Sequence, residues 1–343
     1  MRYRGRFPPE GNVPYTGTSM LKIGNLKLNS NVMLAPMAGV SDLPFRLLNR
    51  RFGCEMAFIE MLNCRSLSYK SKKTQEMLST NHEDKPLGVQ LLGSNPKFVL
   101  KGLEILNKHE FDVLDFNAAC PAKKVVARGE GAALLKEPRK LKELLKAVVK
   151  NSRFPVTVKI RSGWDKDSVN AQDIARHAED AGVKALFIHG RTKMQGYSGS
   201  VDYGVIKGVK SALKIPLIAS GDIHSAQLAK KMFDETGCDA VAVARGALGN
   251  PWIFREIKSF FDGGAILPKP DRREIKNIML EHFNACVDFH GEKVAVIVFR
   301  KFYSWYTLGL RGARQLRKLA CDAKSKNEMA DAIKLLDKAA ILV

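Results

Sequence analysis

The sequence predicts an α/β protein, a (β/α)8 barrel of the TIM type followed by a small all-helical domain, on three observations. Eight short apolar runs lie between residues 32 and 244, segments of helical length separate most of them, and strand signal stops beyond Asp271. Strands alternating with helices imply parallel βαβ units, and eight of them fit a closed barrel better than an open sheet. The doubly wound alternative lacks the Gly-x-Gly-x-x-Gly that would support it after the first strand.

In chain order, residues 1–20 carry Arg2, Arg4 and Arg6 among scattered Pro and Gly, without the apolar stretch of a signal peptide, and read as a basic extension with no assigned fold. The apolar runs follow at Val32–Leu34, Met56–Ile59, Leu87–Leu91, Val113–Phe116, Val156–Ile160, Ala185–Ile188, Pro216–Ala219 and Ala240–Ala244. Pro96–Lys108 and Pro138–Lys150 each open with proline where a first helical residue tolerates it. Asn170–Ala181 and Ser225–Thr236 start on polar residues and leave through Gly182 and Gly237. The barrel is expected over 21–262. Asp262-Gly263-Gly264, Pro268 and Pro270 form a linker, and 271–343 hold helices at Arg272–Phe289, Val294–Leu308, Ala313–Ala320 and Glu328–Ile341.

Of 343 residues, 45% are hydrophobic, enough for a packed core. The formal net charge of +21, from 56 Lys+Arg against 35 Asp+Glu, favours a polyanionic partner, either nucleic acid or an anionic membrane surface. No apolar run approaches the roughly 18 residues needed to span a bilayer. Cysteines 54, 64, 120, 238, 286 and 321 lie far apart and form no Cys-x-x-Cys pair. Neither a zinc site nor a disulfide framework is indicated, so a reducing, cytoplasmic setting without metal is expected. Between Lys293 and Cys321 stand seven Lys or Arg and no acid, interleaved with Phe299, Phe302, Tyr303, Trp305 and Tyr306. This pattern points to nucleic-acid contact through Arg300, Lys301, Arg311, Arg314 and Arg317. The competing reading makes the aromatics the core of that domain.

A barrel places chemistry just past the C-terminal ends of its strands. Polar residues fall there in turn: Glu60, Gln90, Asn117 with Cys120, Lys159 with Arg161, His189 with Arg191, Ser220-Gly221-Asp222, and Arg245-Gly246. The loops after strands seven and eight suit a phosphate, with Gly221 allowing close backbone approach and Arg245 supplying charge. Lys159 can stabilise negative charge on a bound ring, unless Glu60 or Asp115 simply pairs with it. Gln90 and Asn117 can read the edge of a flat heterocycle. Cys120 is protonated at neutral pH by its ordinary pKa and can serve as an acid. A lone cysteine is otherwise more often a small buried hydrophobe, and Lys123 and Lys124 could lower its pKa.

Asn117-Ala-Ala-Cys120-Pro121-Ala-Lys-Lys124, Ala35-Pro36-Met37-Ala38-Gly39, Gln90-Leu-Leu-Gly93, Thr157-Val-Lys159-Ile-Arg161, His189-Gly-Arg191-Thr192, Ser220-Gly221-Asp222 and Ala244-Arg245-Gly246 stand in an order that resembles the tRNA-dihydrouridine synthases of the bacterial subfamily-B type. The resemblance runs from about residue 20 to 260. It implies flavin mononucleotide (FMN) in the barrel mouth, NADPH as reductant, hydride delivery to carbon 6 of a tRNA uracil and a proton from Cys120 to carbon 5. It also implies cofactor contacts from Pro36, Met37, Ala38, Gln90, Lys159, His189, Ser220, Gly221, Asp222, Ala244 and Arg245. Substrate contacts would come from Asn117, Lys124 and Arg191, and the protein would act as a cytoplasmic monomer. Two positions depart from the family pattern, Ala119 where it has Gly and Ser220 where it has Asn. Alanine at 119 would be strained if the backbone there needed positive φ. Two alternatives stand beside this reading: a flavin barrel acting on a free pyrimidine, like dihydroorotate dehydrogenase, and a non-catalytic RNA-binding protein on a degenerate barrel.

Overall fold

The computed structural model describes residues 20–69 and 72–337. The extension expected over 1–20 therefore lies, apart from Met20, outside the described residues, as does the end of the last expected helix at Ile341. β1 (Leu21–Ile23) and β2 (Leu26–Leu28) form an antiparallel hairpin. The parallel strands follow as β3 (Val32–Leu34), β4 (Ala57–Phe58), β5 (Leu62–Asn63), β6 (Leu87–Leu92), β7 (Val113–Asn117), β8 (Val156–Arg161), β9 (Ala185–His189), β10 (Leu217–Ser220) and β11 (Ala240–Val243). Their order is β3-β11-β10-β9-β8-β7-β6-β4, with β5 also on β6. The ring closes where Met33 bridges Met56 and Leu34 N donates to Met56 O at 2.9 Å. All eight expected runs are barrel strands.

The pleat sorts each strand into two faces. Leu114 and Phe116 of β7, Val156, Val158 and Ile160 of β8, and Val241 and Val243 of β11 face the helices in one large core. Met33, Phe58, Val113, Ala185, Phe187, Ile218, Ala240 and Ala242 fill the barrel interior. Leu21, Ile23 and Leu28 of the hairpin join that interior cluster. The eight expected runs do not include this hairpin, although Leu21-Lys-Ile-Gly-Asn-Leu-Lys-Leu alternates around a two-residue turn.

Helix starts follow local chemistry. Asn95 accepts from Lys97 N at 3.0 Å ahead of Pro96–Leu106, and Ser225 accepts from Leu228 N at 3.2 Å ahead of Ala226–Thr236. Asn170 does not cap its helix; its Nδ2 donates to Leu135 O at 2.8 Å instead.

Beyond the barrel, Arg272–His290, Glu292–Tyr306, Ala313–Asp322 and Lys326–Lys334 pack as helices. Phe299, Phe302 and Tyr303 are wholly buried, and Tyr306 nearly so. The aromatics interleaved with the basic residues are thus that region's core, the competing reading of the two. The region packs on the barrel's first helix, Leu43–Arg51, through Phe45 and Phe302, whose rings lie 5.7 Å apart. His290 Nε2 meets Asp42 Oδ2 at 2.8 Å, Trp252 Nε1 donates to Glu274 at 2.6 Å, and Lys301 Nζ donates to the Gly39 carbonyl.

Candidate active site

The residues at the mouth follow from strand parity. Val113, Asp115 and Asn117 share one face of β7, Thr157, Lys159 and Arg161 one face of β8, and Phe187 and His189 one face of β9. The inward stripe begins apolar at the floor and turns polar toward the C-terminal ends.

On one side stands the thiol. Asn117 Oδ1 accepts from Ala119 N at 3.0 Å and Cys120 N at 2.9 Å, and Ala132 N donates to Cys120 O at 3.0 Å. Both backbone polar groups of Cys120 are therefore held. Arg161, 2% exposed, gives Nε to Ala119 O at 2.8 Å and Nη1 to the carbonyls of Thr192 and Gly196 at 3.0 and 2.8 Å. Burial pushes the Cys120 thiol above its ordinary pKa, with the Ala122 backbone N–H and then Arg161 and Arg128 pulling the other way. The thiol is protonated at neutral pH. Lys123 and Lys124, expected from the sequence to tune it, face solvent on the short helix Lys123–Val126. Ala119 carries no positive-φ strain, since Asp222, at φ 53°, is the one non-glycine in that region among the described residues.

In the centre, Gln90 Nε2 donates to Asp115 Oδ2 at 2.6 Å and Gln90 Oε1 accepts from Asn117 Nδ2 at 2.8 Å. Lys159 Nζ donates to Ser220 Oγ at 3.1 Å, and Ser220 Oγ donates onward to Ile188 O at 2.9 Å. Burial lowers Lys159 to about 8, against the opposing charge of Asp115, so the ammonium still dominates at neutral pH. His189 is held down to about 2, first by burial and then by Arg161, Lys159, Arg191 and Arg245 around it. A neutral imidazole thus stands among four cations.

The far side is ionic. Arg191, 2% exposed, meets Asp222 through Nη1 at 2.9 Å and Nη2 at 2.5 Å and also donates to the carbonyls of Ser198 and Gly199. Arg245 Nη2 reaches the same carboxylate at 3.1 Å, and its guanidinium sits 4.6 Å from the ring centre of exposed Tyr197. A Cβ on Gly246 would stand 1.9 Å from Ile223 O, so only glycine lets the β10 and β11 loops close on each other.

The remaining expected residues divide. Pro36, Met37 and Ala38 form the loop after β3, tightened by Ser41 Oγ, which accepts from Met37 N at 2.6 Å. Ala244 packs against the interior cluster. Arg191, expected to touch substrate, gives four of its five N–H groups to Asp222 and the carbonyls of Ser198 and Gly199. Three of the five cations expected to touch RNA turn inward: Arg300 to Ala323 O at 2.8 Å, Lys301 to Gly39 O and Arg317 to Thr307. Arg311 and Arg314 stay exposed. Sequence reasoning placed Arg161 at the end of its strand without a role and missed Tyr197; the Arg161-Ser-Gly-Trp run gives no cue that its guanidinium grips carbonyls.

These features define a (β/α)8-barrel protein whose mouth sets a protonated thiol opposite a cation-rich wall. The dihydrouridine synthase family profile matches residues 33–341. tRNA-dihydrouridine synthase B of Vibrio cholerae is 40% identical over 313 residues, covering 91% of this chain and 97% of that protein. A probable tRNA-dihydrouridine synthase of Rickettsia bellii is 38% identical over 320 residues, covering 93% and 96% respectively. Among solved structures, morphinone reductase superposes with a TM-score of 0.53 at 16% identity, covering 75% of this chain and 91% of that one, a likeness of fold alone. The chain belongs to the dihydrouridine synthase family.

Proposed function

We propose that this chain reduces uridines of tRNA to 5,6-dihydrouridine with FMN and NADPH, Cys120 acting as the acid. Flavin-dependent reduction of uridine in tRNA is the reaction of the family to which the chain belongs. The observation that carries the residue assignment is a thiol kept protonated by burial and pinned through both of its backbone groups at the end of β7.

The residues present fit a phosphate-bearing flavin. Among the described residues, His189 Nε2 is buried without a hydrogen-bond partner, and the cations around it outnumber the carboxylates Asp115 and Asp222. Pro36, Met37, Ala38, Gln90, Lys159, His189, Ser220, Gly221, Asp222, Ala244 and Arg245 would hold it. Held there and reduced by NADPH, FMN would supply the hydride for carbon 6 of uracil.

The chain's own groups do the rest. Cys120 Sγ gives its proton to carbon 5, and Arg161 and Arg128 stabilise the thiolate left behind. Lys159 offers positive charge to the ring as negative charge builds on it. Asn117 keeps one Nδ2 hydrogen free, enough to donate to a uracil carbonyl. Residues 21–262 serve as the catalytic domain and 271–343 as the tRNA-binding arm, with Arg311 and Arg314 among its phosphate contacts. Swinging a uridine out of its loop costs a few kcal/mol, which phosphate contacts offset. The protein works as a cytoplasmic monomer.

The test is mass-spectrometric detection of dihydrouridine after incubating unmodified tRNA with NADPH and either the wild type or Cys120→Ala. Product from the wild type, falling by about a hundredfold or more in the variant, is expected for a lost general acid. Equal product from both removes Cys120 from its role. Turnover of a free pyrimidine without any tRNA product would overturn the substrate assignment.

A further inference from the structure

The relay beneath Cys120 starts from a carboxylate that the reaction above does not consume. Asp115 is 1% exposed, and each of its oxygens accepts one hydrogen bond, Oδ1 from Thr157 Oγ1 at 2.7 Å and Oδ2 from Gln90 Nε2 at 2.6 Å. An ionised carboxylate has no hydrogen to give, so Gln90 must turn its NH2 toward it. That leaves Gln90 Oε1 facing β7, where Asn117 answers with Nδ2 at 2.8 Å. Asn117 Oδ1 is thereby aimed at the loop, and it accepts from the N–H groups of Ala119 and Cys120 at 3.0 and 2.9 Å. Reversing either amide would set acceptor against acceptor or donor against donor in a buried site, where each mismatch costs about 1–3 kcal/mol.

We infer that Asp115 is a positioning residue, an acceptor-only anchor that fixes the polarity of the Asp115–Gln90–Asn117 relay and, through it, the placement of the Cys120 thiol. Strand register supports this. Gln90, Asp115 and Thr157 are direct partners across β6, β7 and β8, and Asn117 lies one inward step nearer the mouth. The protonation state agrees. Burial pushes Asp115 up to about 6, but the hydrogen bonds from Gln90 and Thr157 and the charge of Lys159 oppose it, leaving the carboxylate ionised at neutral pH. A nonpolar residue at 115 would pack the interior without any such cost, so the buried acid asks for a purpose. Directing two amides that carry no charge of their own is one that its geometry meets.

The inference rests on the reading of Cys120 as the acid, but its test reads the relay directly. Full-length wild type, Asp115→Asn, Gln90→Glu and the double variant Asp115→Asn/Gln90→Glu are treated with iodoacetamide, and Cys120 alkylation is followed by peptide mass spectrometry against exposed Cys321. Asp115→Asn frees the relay to invert, and Gln90→Glu opposes two carboxylates. Each should speed Cys120 alkylation at least fivefold and lower the kcat for dihydrouridine formation about tenfold, with the KM for tRNA within twofold. The double variant restores donor to acceptor at every joint: the amide introduced at 115 donates to the carboxylate introduced at 90, whose other oxygen still accepts from Asn117 Nδ2. It should return Cys120 alkylation to within about threefold of the wild type; kcat does not report on the relay in this variant, since Gln90 also stands among the flavin contacts. A packing role alone predicts that the two changes together do no better than either one. That outcome, or wild-type alkylation in Asp115→Asn, overturns the inference. Full activity in Cys120→Ala would instead remove the acid assignment and leave the relay standing.

Discussion

Around Cys120 the loop is held mainly through amides, Gln90, Asn117 and the backbone N–H groups of Ala119 and Cys120, with one guanidinium, Arg161, on the Ala119 carbonyl. Across the mouth, Asp222 binds Arg191 and Arg245 in an ionic cluster. The difference matches what the proposed reaction asks of each side. A full positive charge placed against a thiol turns it into thiolate and removes the proton it has to give. Neutral dipoles do most of the orienting here, and burial outweighs the pull of Arg161 and Arg128 on the thiol. A phosphate needs cations, and cations packed together need an anion between them, which Asp222 supplies from a left-handed backbone at φ 53°.

Changes on the ionic side should break one half of this contrast and spare the other. The largest effect is expected from Arg191→Met, which leaves Asp222 with Arg245 alone. FMN affinity, read from quenching of flavin fluorescence, should fall by about a hundredfold, in the range seen when one partner of a buried charge pair is truncated. Arg191 also holds the Asp222 carboxyl below its ordinary pKa, mainly through their hydrogen bonds. A depressed folded-state pKa adds stability above the unfolded value near pH 4 and loses it as pH falls through the folded one. The gap in Tm between wild type and Arg191→Met should therefore shrink between pH 7 and pH 3.

Gly246→Ala comes next. Its Cβ would press on Ile223 O, and overpacking of this kind destabilises by about 2 kcal/mol, visible in urea denaturation. If the two sides are independent, Cys120 alkylation stays at the wild-type rate; a change would show them to be one unit. Arg311→Glu with Arg314→Glu should weaken tRNA binding about tenfold and flatten its salt dependence by roughly two contacts, leaving FMN affinity alone. In the wild type, Cys120 should alkylate several-fold more slowly than Cys321 at pH 7.5, since burial raises the Cys120 pKa.

The barrel was legible because its eight runs are short, apolar and evenly spaced, and because parity carries a strand's inward stripe up to its polar end. That logic placed Gln90, Asn117, Lys159 and His189 at the mouth. The direction in which a cation turns was not legible. Arg161, Arg300 and Arg317 satisfy backbone carbonyls, and an arginine looks the same in sequence whether its fork meets a phosphate or a peptide. The aromatics from Phe299 to Tyr306 sit at spacings that serve a helical core as well as a stacking surface, and only packing against Phe45, His282 and Phe283 separates the two. The floor hairpin had a visible alternation, but three-residue strands carry too little signal to stand out.

The grip of Lys301 on the Gly39 carbonyl, with His290 on Asp42 beside it, ties the arm to the turn that follows β3. The arm is consequently not a detachable cassette. Exchanging it with that of a relative would transplant a side chain that sets the shape of a loop in the other half of the molecule. Chimaeras with intact barrels should then lose cofactor retention as well as RNA affinity unless the seam at Gly39 and Asp42 travels with them.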